Sequence, residues 1–237
     1  MGEPASPHDG PGSARAVRNC RCFPAACDHG GAPRTRGGEL RMSSPAQSAQ
    51  TSPLDHVGPW TERDYFALPE DRRRIELLDG GLLVSPAAGS RHQRLSSHLC
   101  HALGRAAPSW LEVLEAVNVR VAPGQILIPD LVVVTNPGLD VTVWDPAGVA
   151  MAIEIVSPGS IGADRAIKPQ LYSAAGIDHY LRIELNGPGP SSMAYQLQRG
   201  CYVEVTSSSS GQLLRLAQPF PVDLDLAALA TATRPPP

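Results

Sequence analysis

Apolar residues follow a periodic pattern only after about residue 57. Residues 1–56 are dominated by Gly, Pro, Ala, Ser and Arg and have almost no periodic apolar positions, a composition typical of disordered segments. We therefore predict one folded region over 57–230, preceded by a disordered extension and followed by a disordered tail over 231–237. Met42 is an alternative start of the protein, because a purine-rich stretch of the kind found in ribosome-binding sites can encode Gly-Gly-Glu at 37–39.

The first part of the folded region is predicted to form a short helix and a β-hairpin. Thr61 and Asp64 have the spacing of a capping box, which predicts a helix that Pro69 then ends. The segments 74–78 and 82–84 are rich in apolar residues and flank an Asp-Gly-Gly turn. Two such segments joined by a turn of this kind are typical of a β-hairpin.

A longer helix and several strands are predicted downstream. The helix begins at Ser90 and ends near Ala107, because leucines recur at helical spacing along one face. Apolar runs predict strands in four segments, over 111–121, 126–134, 149–156 and 179–185. A helix over about 164–175 separates the last two strands, and a further hairpin is predicted over 193–206 and 212–216. This order of elements predicts a mixed α/β fold with one principal sheet.

The overall charge and the cysteine content indicate an acidic cytoplasmic protein. The formal net charge is −3, so contact with DNA must rely on local arginines or a bound metal. No segment has the roughly 18 consecutive apolar residues of a membrane helix, and the first residues lack the apolar core of a secretory signal. Five cysteines without regular spacing suit a reducing compartment. A metal site at Cys20, Cys22, Cys27 and His29 is disfavoured, because paired CxxC motifs are missing.

The chain has a single lysine, Lys168, and nineteen arginines. A lone lysine in an arginine-rich chain is either an ordinary surface residue or one whose role arginine cannot fill. Lysine carries a compact charge and can lose its proton, whereas the guanidinium stays charged and planar. Asp164, four residues before Lys168, is either a helix cap, which we favour, or a partner of the ammonium group.

Two carboxylates lie on or next to apolar strands. Glu154 has apolar neighbours on both sides, and an ionised carboxylate buried without a partner costs several kcal/mol. An arginine, a hydrogen-bond network or a cation must therefore compensate it. Asp130 precedes an apolar run and is either a turn residue or a second ligand. If the two strands are neighbours, both carboxylates can bind one Mg²⁺, which prefers oxygen ligands.

These motifs, in this order, resemble the Uma-two family of restriction-endonuclease-like proteins, which belongs to the PD-(D/E)XK nuclease superfamily. The core of the resemblance is Ile-Pro-Asp130, then Ile-Glu154-Ile-Val-Ser157-Pro158, then the spacing of Asp164, Lys168, Pro169, Tyr172, Gly176 and Tyr180. Earlier motifs match as well, namely Trp60-Thr61, Leu68-Pro69-Glu70, Glu76-Leu-Leu-Asp79-Gly80, Ser85-Pro86 and His92. The resemblance covers about 57–185.

The resemblance implies a restriction-endonuclease-like core, with a central mixed sheet flanked by helices and an extra C-terminal β-hairpin. It also implies Mg²⁺-dependent cleavage of phosphodiester bonds. Asp130 and Glu154 match the metal-binding acids, and Glu76 matches an acidic position that joins or supports the metal shell. The superfamily usually has its catalytic lysine two positions after the glutamate, where this chain has Val156. In this chain Lys168, on the following helix, matches the catalytic lysine instead.

Other polar residues near these motifs have two interpretations each. His92 is on the apolar face of the long helix and is either a core histidine, which we favour, or a substrate-binding residue. Arg91 and Arg94 either bind substrate phosphates or form a solvated charged face, and the same alternatives hold for the arginine run 72–74.

Two further histidines on the long helix and the absence of three catalytic or nucleotide-binding motifs exclude other classes of protein. His98 and His101 have no evident third ligand, so we interpret them as part of a solvated helix face. The chain has no GxSxG, P-loop or GxGxxG motif, which argues against esterases, NTPases and dinucleotide-binding enzymes.

We therefore expect a cytoplasmic endonuclease that hydrolyses DNA with Mg²⁺, or with Mn²⁺ in its place. Its catalytic residues are expected to be Asp130, Glu154, Lys168 and Glu76. No membrane partner is expected, and a homodimer is inferred only by analogy with related nucleases. The alternative from another class is a catalytically inactive module of nuclease fold that binds protein or nucleic acid. Hydrolysis of a different phosphoester uses the same site and stays open.

Overall fold

The computed structural model describes most of the predicted folded region. The described residues are 56–69, 74–156, 162–185 and 189–232, and all of them belong to one compact unit. The predicted extension up to residue 55, the alternative start at Met42, the cysteines near His29 and the end of the tail lie outside these ranges. What we predicted for them stays a prediction. None of the helices in the described ranges is long and apolar enough to cross a membrane.

Within these ranges the chain forms a few helices and many short strands. The helical elements are α1 (Glu62–Phe66), α2 (Ser90–Ala106), α3 (Lys168–Ala174) and α4 (Leu226–Thr231), with a 3₁₀ turn over Pro146–Gly148 and a π-helical turn over Ala163–Ile167. The strands are β1 (Arg74–Leu78), β2 (Gly81–Ser85), β3 (Glu112–Glu115), β4 (Val119–Ala122), β5 (Gln125–Leu127), β6 (Leu131–Val134), β7 (Val149–Val156), β8 (His179–Glu184), β9 (Ser191–Gln198), β10 (Cys201–Ser208), β11 (Leu214–Leu216) and β12 (Val222–Leu224).

The principal sheet runs in the order β10-β9-β8-β7-β6-β3. Strands β7 and β8 are parallel, with α3 in their connection, and the other neighbours are antiparallel. Helices α2 and α4 cover one face, where Leu99 and Leu229 pack in one cluster with Ile153. Helix α3 covers the other face, where Tyr172 packs with Ala152. The prediction of a mixed α/β fold with a central mixed sheet is confirmed.

A second sheet, ordered β2-β1-β5-β4, contains the predicted N-terminal hairpin. The hairpin and the capping box of α1 are both confirmed. Helix α1 packs on this sheet through a small core of Tyr65, Leu77 and Ile126. The Tyr65 hydroxyl also donates a hydrogen bond to the Ile75 carbonyl at 2.9 Å. These contacts fix the position of β1, which supplies two residues of the candidate site described below.

Two of the predicted strands are interrupted in the structure. The segment 111–121 divides into β3 and β4, because Ala116 has a φ of 52° and a positive φ does not continue a strand. The segment 126–134 divides into β5 and β6, because Pro129 has no N–H to donate to a strand ladder. Each segment therefore contributes one strand to each sheet. The second break brings Asp130 to the start of β6.

A C-terminal hairpin is present, as predicted, but its bounds differ from the predicted segments 193–206 and 212–216. Strands β9 and β10 form this hairpin and lie at one edge of the principal sheet. Strand β11 pairs with β12 in a separate two-stranded sheet. The pattern missed this partner because β12 has only three residues. Helix α4 was also not predicted, and it is capped by Asp225, which accepts a hydrogen bond from the Ala228 amide at 2.9 Å.

His98 corrects the interpretation of a solvated helix face. It is buried, and its Nδ1 lies 2.9 Å from the carbonyl oxygen of Leu229. The prediction was wrong because α4, which the sequence pattern did not reveal, covers this side of α2. His101 is exposed, as expected.

The packing of α2 on the principal sheet predicts how a substitution in this helix changes the free energy of unfolding. Leu99→Ala should lower the free energy of unfolding by about 3 kcal/mol, because the Leu99 side chain is fully buried and its removal leaves a cavity. Gln93→Ala, at an exposed position of the same helix, should change it by less than about 0.5 kcal/mol. Urea unfolding of both variants checks this, and equal losses would contradict the described packing.

Candidate active site

The centre of the site is a pair of carboxylates on neighbouring strands. Strands β6 and β7 are antiparallel with Leu131 opposite Ile153, so the next position along the ladder places Asp130 opposite Glu154. Both side chains are buried, with 6% and 1% of their residue surface exposed. The two acids predicted from sequence are therefore cross-strand neighbours, and the condition we set for a shared site is met.

Lys168 connects this pair to two further acids. Its Nζ lies 3.1 Å from Glu154 Oε1, 3.0 Å from Glu76 Oε1 and 3.4 Å from Asp164 Oδ1. The side chain is only 5% exposed. Asp164 is thus a partner of Lys168, which is the alternative that we did not favour. It also lies in the first turn of the π-helical segment Ala163–Ile167. The two residues are four positions apart, which puts them on one side of the helical turn.

Tyr172 is a residue of the site that the sequence reasoning gave no role. Its hydroxyl donates a hydrogen bond to Glu154 Oε1 at 2.7 Å, and the side chain is fully buried. It follows Lys168 by four residues, so both point to the same face of α3. That spacing was the signal available in the sequence. Together the two donors hold Oε1 and leave Oε2 on the other side of the carboxylate.

Arg74 faces that other side, and it also lies beside Asp130. Its Nη1 donates to Asp130 Oδ1, and its Nη2 lies 3.8 Å from Glu154 Oε2. Arg74 precedes Glu76 by two residues in β1, so the period of a strand puts both on one face. The signal existed in the sequence but was obscured by the run of three arginines. Arg72 and Arg73 lie outside the described residues.

The second oxygen of Asp130 is held by the backbone and by α2. Oδ2 accepts a hydrogen bond from the Ile155 amide at 2.7 Å, and His92 Nε2 lies 3.2 Å from the same oxygen. His92 is buried, as the favoured interpretation of a core histidine requires, and it contacts a carboxylate of the candidate site. A substrate-binding role for it stays a prediction. Its Nδ1 has no hydrogen-bond partner among the described residues.

Glu76 completes the group from the second sheet. Its Oε1 accepts a hydrogen bond from the Ile128 amide at 2.7 Å and contacts Lys168. Its Oε2 is buried and has no hydrogen-bond partner within the described ranges. We call these residues the buried charge cluster, which contains the acids Glu76, Asp130, Glu154 and Asp164 and the cations Arg74 and Lys168.

The cluster contains four acids and two cations that stay charged. Burial and the charges of neighbouring residues shift the pKa values of its members. Burial raises the pKa of Glu154 to about 8, against the opposing charge of Lys168 and with the help of the Asp130 charge. Burial acts in the same direction on Asp130, but the contact with His92 and the charge of Arg74 outweigh it and hold that pKa well below its usual range. Burial disfavours charged Lys168, yet Glu154 and Glu76 raise its pKa above the ordinary value.

Two predicted substrate-binding residues lie outside the cluster. Arg91 and Arg94 are exposed on the first turns of α2. Arg91 Nη1 donates a hydrogen bond to the Leu185 carbonyl at 3.0 Å. The structure therefore brings Asp130, Glu154, Lys168 and Glu76 together with His92, and it leaves these two arginines at the surface.

Within the described ranges no three His, Cys, Asp or Glu side chains form a ready-made set of metal ligands. The reason is visible in the contacts, because Arg74, Lys168 and His92 lie against the oxygens that a metal would use. A metal that binds these carboxylates must therefore displace or compete with the side chains that contact their oxygens.

The fold is shared with a protein of known structure. A crystal structure from Anabaena variabilis ATCC 29413, described as "a putative nuclease belonging to DUF820", matches with a TM-score of 0.58 and 15% sequence identity. The match covers 73% of this chain and 99% of that chain. At this identity the likeness concerns the fold alone.

The family is shown by the sequence itself. Residues 63–230 match the model of the Uma2 family, described as "Putative restriction endonuclease". The match extends over most of the chain, and the chain belongs to the Uma2 family. The resemblance stated from its motifs is therefore confirmed. A search of curated proteins finds no significant match.

The raised pKa of Glu154 makes a prediction for the pH dependence of stability. The folded protein favours the protonated carboxyl, so this contribution is present near pH 4.5, the ordinary pKa, and is lost as the pH rises through about 8. Glu154→Gln keeps the acceptor for Tyr172 but cannot ionise. The wild type should therefore lose free energy of unfolding relative to this variant between about pH 5 and 8, by a few kcal/mol in order of magnitude.

Urea unfolding over this pH range measures the difference. Glu204→Gln, at an exposed position of β10, is the matched control and should follow the wild-type curve. A constant difference between wild type and Glu154→Gln at every pH would show that Glu154 ionises normally.

Proposed function

We propose that this protein is a Mg²⁺-dependent nuclease that hydrolyses phosphodiester bonds of DNA. The observation that carries the proposal is the meeting of Asp130 and Glu154 across two strands with a buried lysine on Glu154. Membership of the Uma2 family, with its printed description, supports the same reaction. The solved Anabaena variabilis protein of the same fold is described as "a putative nuclease".

The donor set fits a hard divalent cation. Mg²⁺ is usually bound by one or two carboxylates together with waters and substrate phosphates, so Asp130 and Glu154 suffice, with Glu76 as a third acid. Glu76 Oε2 is buried and has no hydrogen-bond partner among the described residues, so it is an acceptor that a cation could use. The cluster contains four acids and two cations that stay charged. Burial raises the pKa of Glu154 to about 8, and a divalent ion bound there would favour its ionised carboxylate. A bound ion would make a water more acidic and offset charge on the phosphate.

The chain's own residues prepare this site. Lys168 and Tyr172 hold Glu154 Oε1 by donated hydrogen bonds, which fixes the direction of Oε2. The Ile155 amide and His92 hold Asp130 in the same way. The Lys168 ammonium also stabilises negative charge that develops beside Glu154 during hydrolysis. Arg91 and Arg94, on the exposed side of α2, are proposed to contact substrate phosphates.

A second candidate function is a module of nuclease fold that binds a partner without catalysis. One observation favours it, namely that both Asp130 oxygens already have partners, in Arg74, His92 and the Ile155 amide. Under that function the cluster is a self-contained ion network with no need for metal. Calorimetry with Mn²⁺ separates the two functions, because only a metal site gives heat of binding that Asp130→Asn removes.

The nuclease proposal makes a prediction for two variants. Asp130→Asn and Lys168→Met should each reduce Mg²⁺-dependent nicking of plasmid DNA by at least about 100-fold, because one removes a metal ligand and the other removes a charge that stabilises the transition state. Nicking is followed on gels with and without EDTA.

Circular dichroism and urea unfolding identify which variants remain folded, since Lys168→Met leaves acids without their cation. Glu204→Gln is the control and should cut at the wild-type rate. Cleavage at the wild-type rate by a folded Asp130→Asn protein would contradict the assignment of the active site to this cluster.

A further inference from the structure

Arg74 occupies the space between the two central carboxylates. One terminal nitrogen donates to Asp130 Oδ1, and the other lies 3.8 Å from Glu154 Oε2. At that distance the second contact is an ion pair without a hydrogen bond. The guanidinium therefore supplies a positive charge at the position between the carboxylates that the proposed function gives to a divalent ion.

The donors of Arg74 are only partly used. Its Nε and Nη2 are buried and have no hydrogen-bond partner among the described residues. A guanidinium has five N–H donors in a planar fork, which matches two oxygens of a carboxylate or a phosphate. Buried donors without partners are costly. These two nitrogens, which lack partners among the described residues, are therefore available to an acceptor that enters the site.

Arg74 and Lys168 differ in how firmly they are held. Lys168 lies within 3.4 Å of three acids, and its side chain is 5% exposed. Arg74 has one hydrogen-bonded acid, and its side chain is 25% exposed. When a second cation enters, the repulsion between like charges acts on both residues, and Arg74 has fewer contacts to lose and a path to solvent.

We propose that Arg74 is a phosphate-binding residue that serves as counter-ion of Asp130 and Glu154 while no metal is bound. The inference rests on the proposed function. When a divalent ion takes the two carboxylates, the guanidinium turns away from them, and its fork receives two oxygens of the DNA phosphate. The same arginine thus compensates the charge of the two acids in the metal-free protein and binds the DNA phosphate in the metal-bound protein.

The first experiment measures metal affinity by titration calorimetry of the full chain with Mn²⁺. Arg74→Met removes the competing charge and should bind Mn²⁺ at least about fivefold more tightly than wild type. Arg74→Lys retains a cation beside the acids and should stay within about threefold of wild type. Arg105→Met, at an exposed position near the end of α2, controls for the loss of one arginine and should not differ from wild type.

The second experiment measures DNA affinity by fluorescence anisotropy of a labelled duplex with Ca²⁺ in place of Mg²⁺. Arg74→Met and Arg74→Lys should both weaken binding about tenfold, because neither side chain offers the two parallel donors of the fork. Arg105→Met should bind as wild type does. The lysine variant keeps the charge in the cluster, so it carries the test if the methionine variant fails to fold.

The outcomes separate this inference from the proposed function. Equal or weaker Mn²⁺ binding by a folded Arg74→Met protein overturns the counter-ion role. Unchanged DNA binding by Arg74→Lys overturns the phosphate-binding role. If neither the wild type nor Arg74→Met binds Mn²⁺, the proposed function itself fails and the inference fails with it.

Discussion

The contact of Lys168 with three buried carboxylates is the interaction on which the site depends. Each of these acids, taken alone, would cost several kcal/mol to bury in the charged form. The ammonium group compensates Glu76, Glu154 and Asp164 at once, from 3.0 to 3.4 Å. Since a lysine presents a compact charge with three donors and no fixed plane, it can contact acids that approach from three directions. The planar fork of arginine is less suited to this arrangement, which gives a physical reason for the single lysine of the chain.

The fold supplies these acids from separate elements. The antiparallel register of β6 and β7 places Asp130 opposite Glu154, and the second sheet brings Glu76 against the Ile128 amide just before β6. Helix α3 lies in the connection between the parallel strands β7 and β8, so its inner face carries Lys168 and Tyr172 over Glu154. This arrangement of acids from separate elements is what the proposed binding of a divalent cation requires.

Much of this site could be predicted from the sequence, because the informative residues break a local pattern. Glu154 stood out as a charge in an apolar strand, and Lys168 stood out as a lysine among arginines. The contact of Arg74 with Asp130 was harder to predict, since it depends on how the second sheet packs against the principal one. The contact of Asp164 with Lys168 was one of two alternatives that the spacing left open. The break at Ala116 was also invisible, because only the positive φ of that residue divides an otherwise continuous apolar run. Short partners such as β12 carry too few residues to produce a pattern.

The central claim is that one divalent cation binds between Asp130 and Glu154. Anomalous diffraction from a crystal soaked in Mn²⁺ tests it most directly. The account predicts one strong peak within bonding distance of both carboxylates, with the Arg74 guanidinium displaced from Asp130. A crystal that shows no peak there, and in which Arg74 remains on Asp130 at high Mn²⁺ concentration, would contradict it.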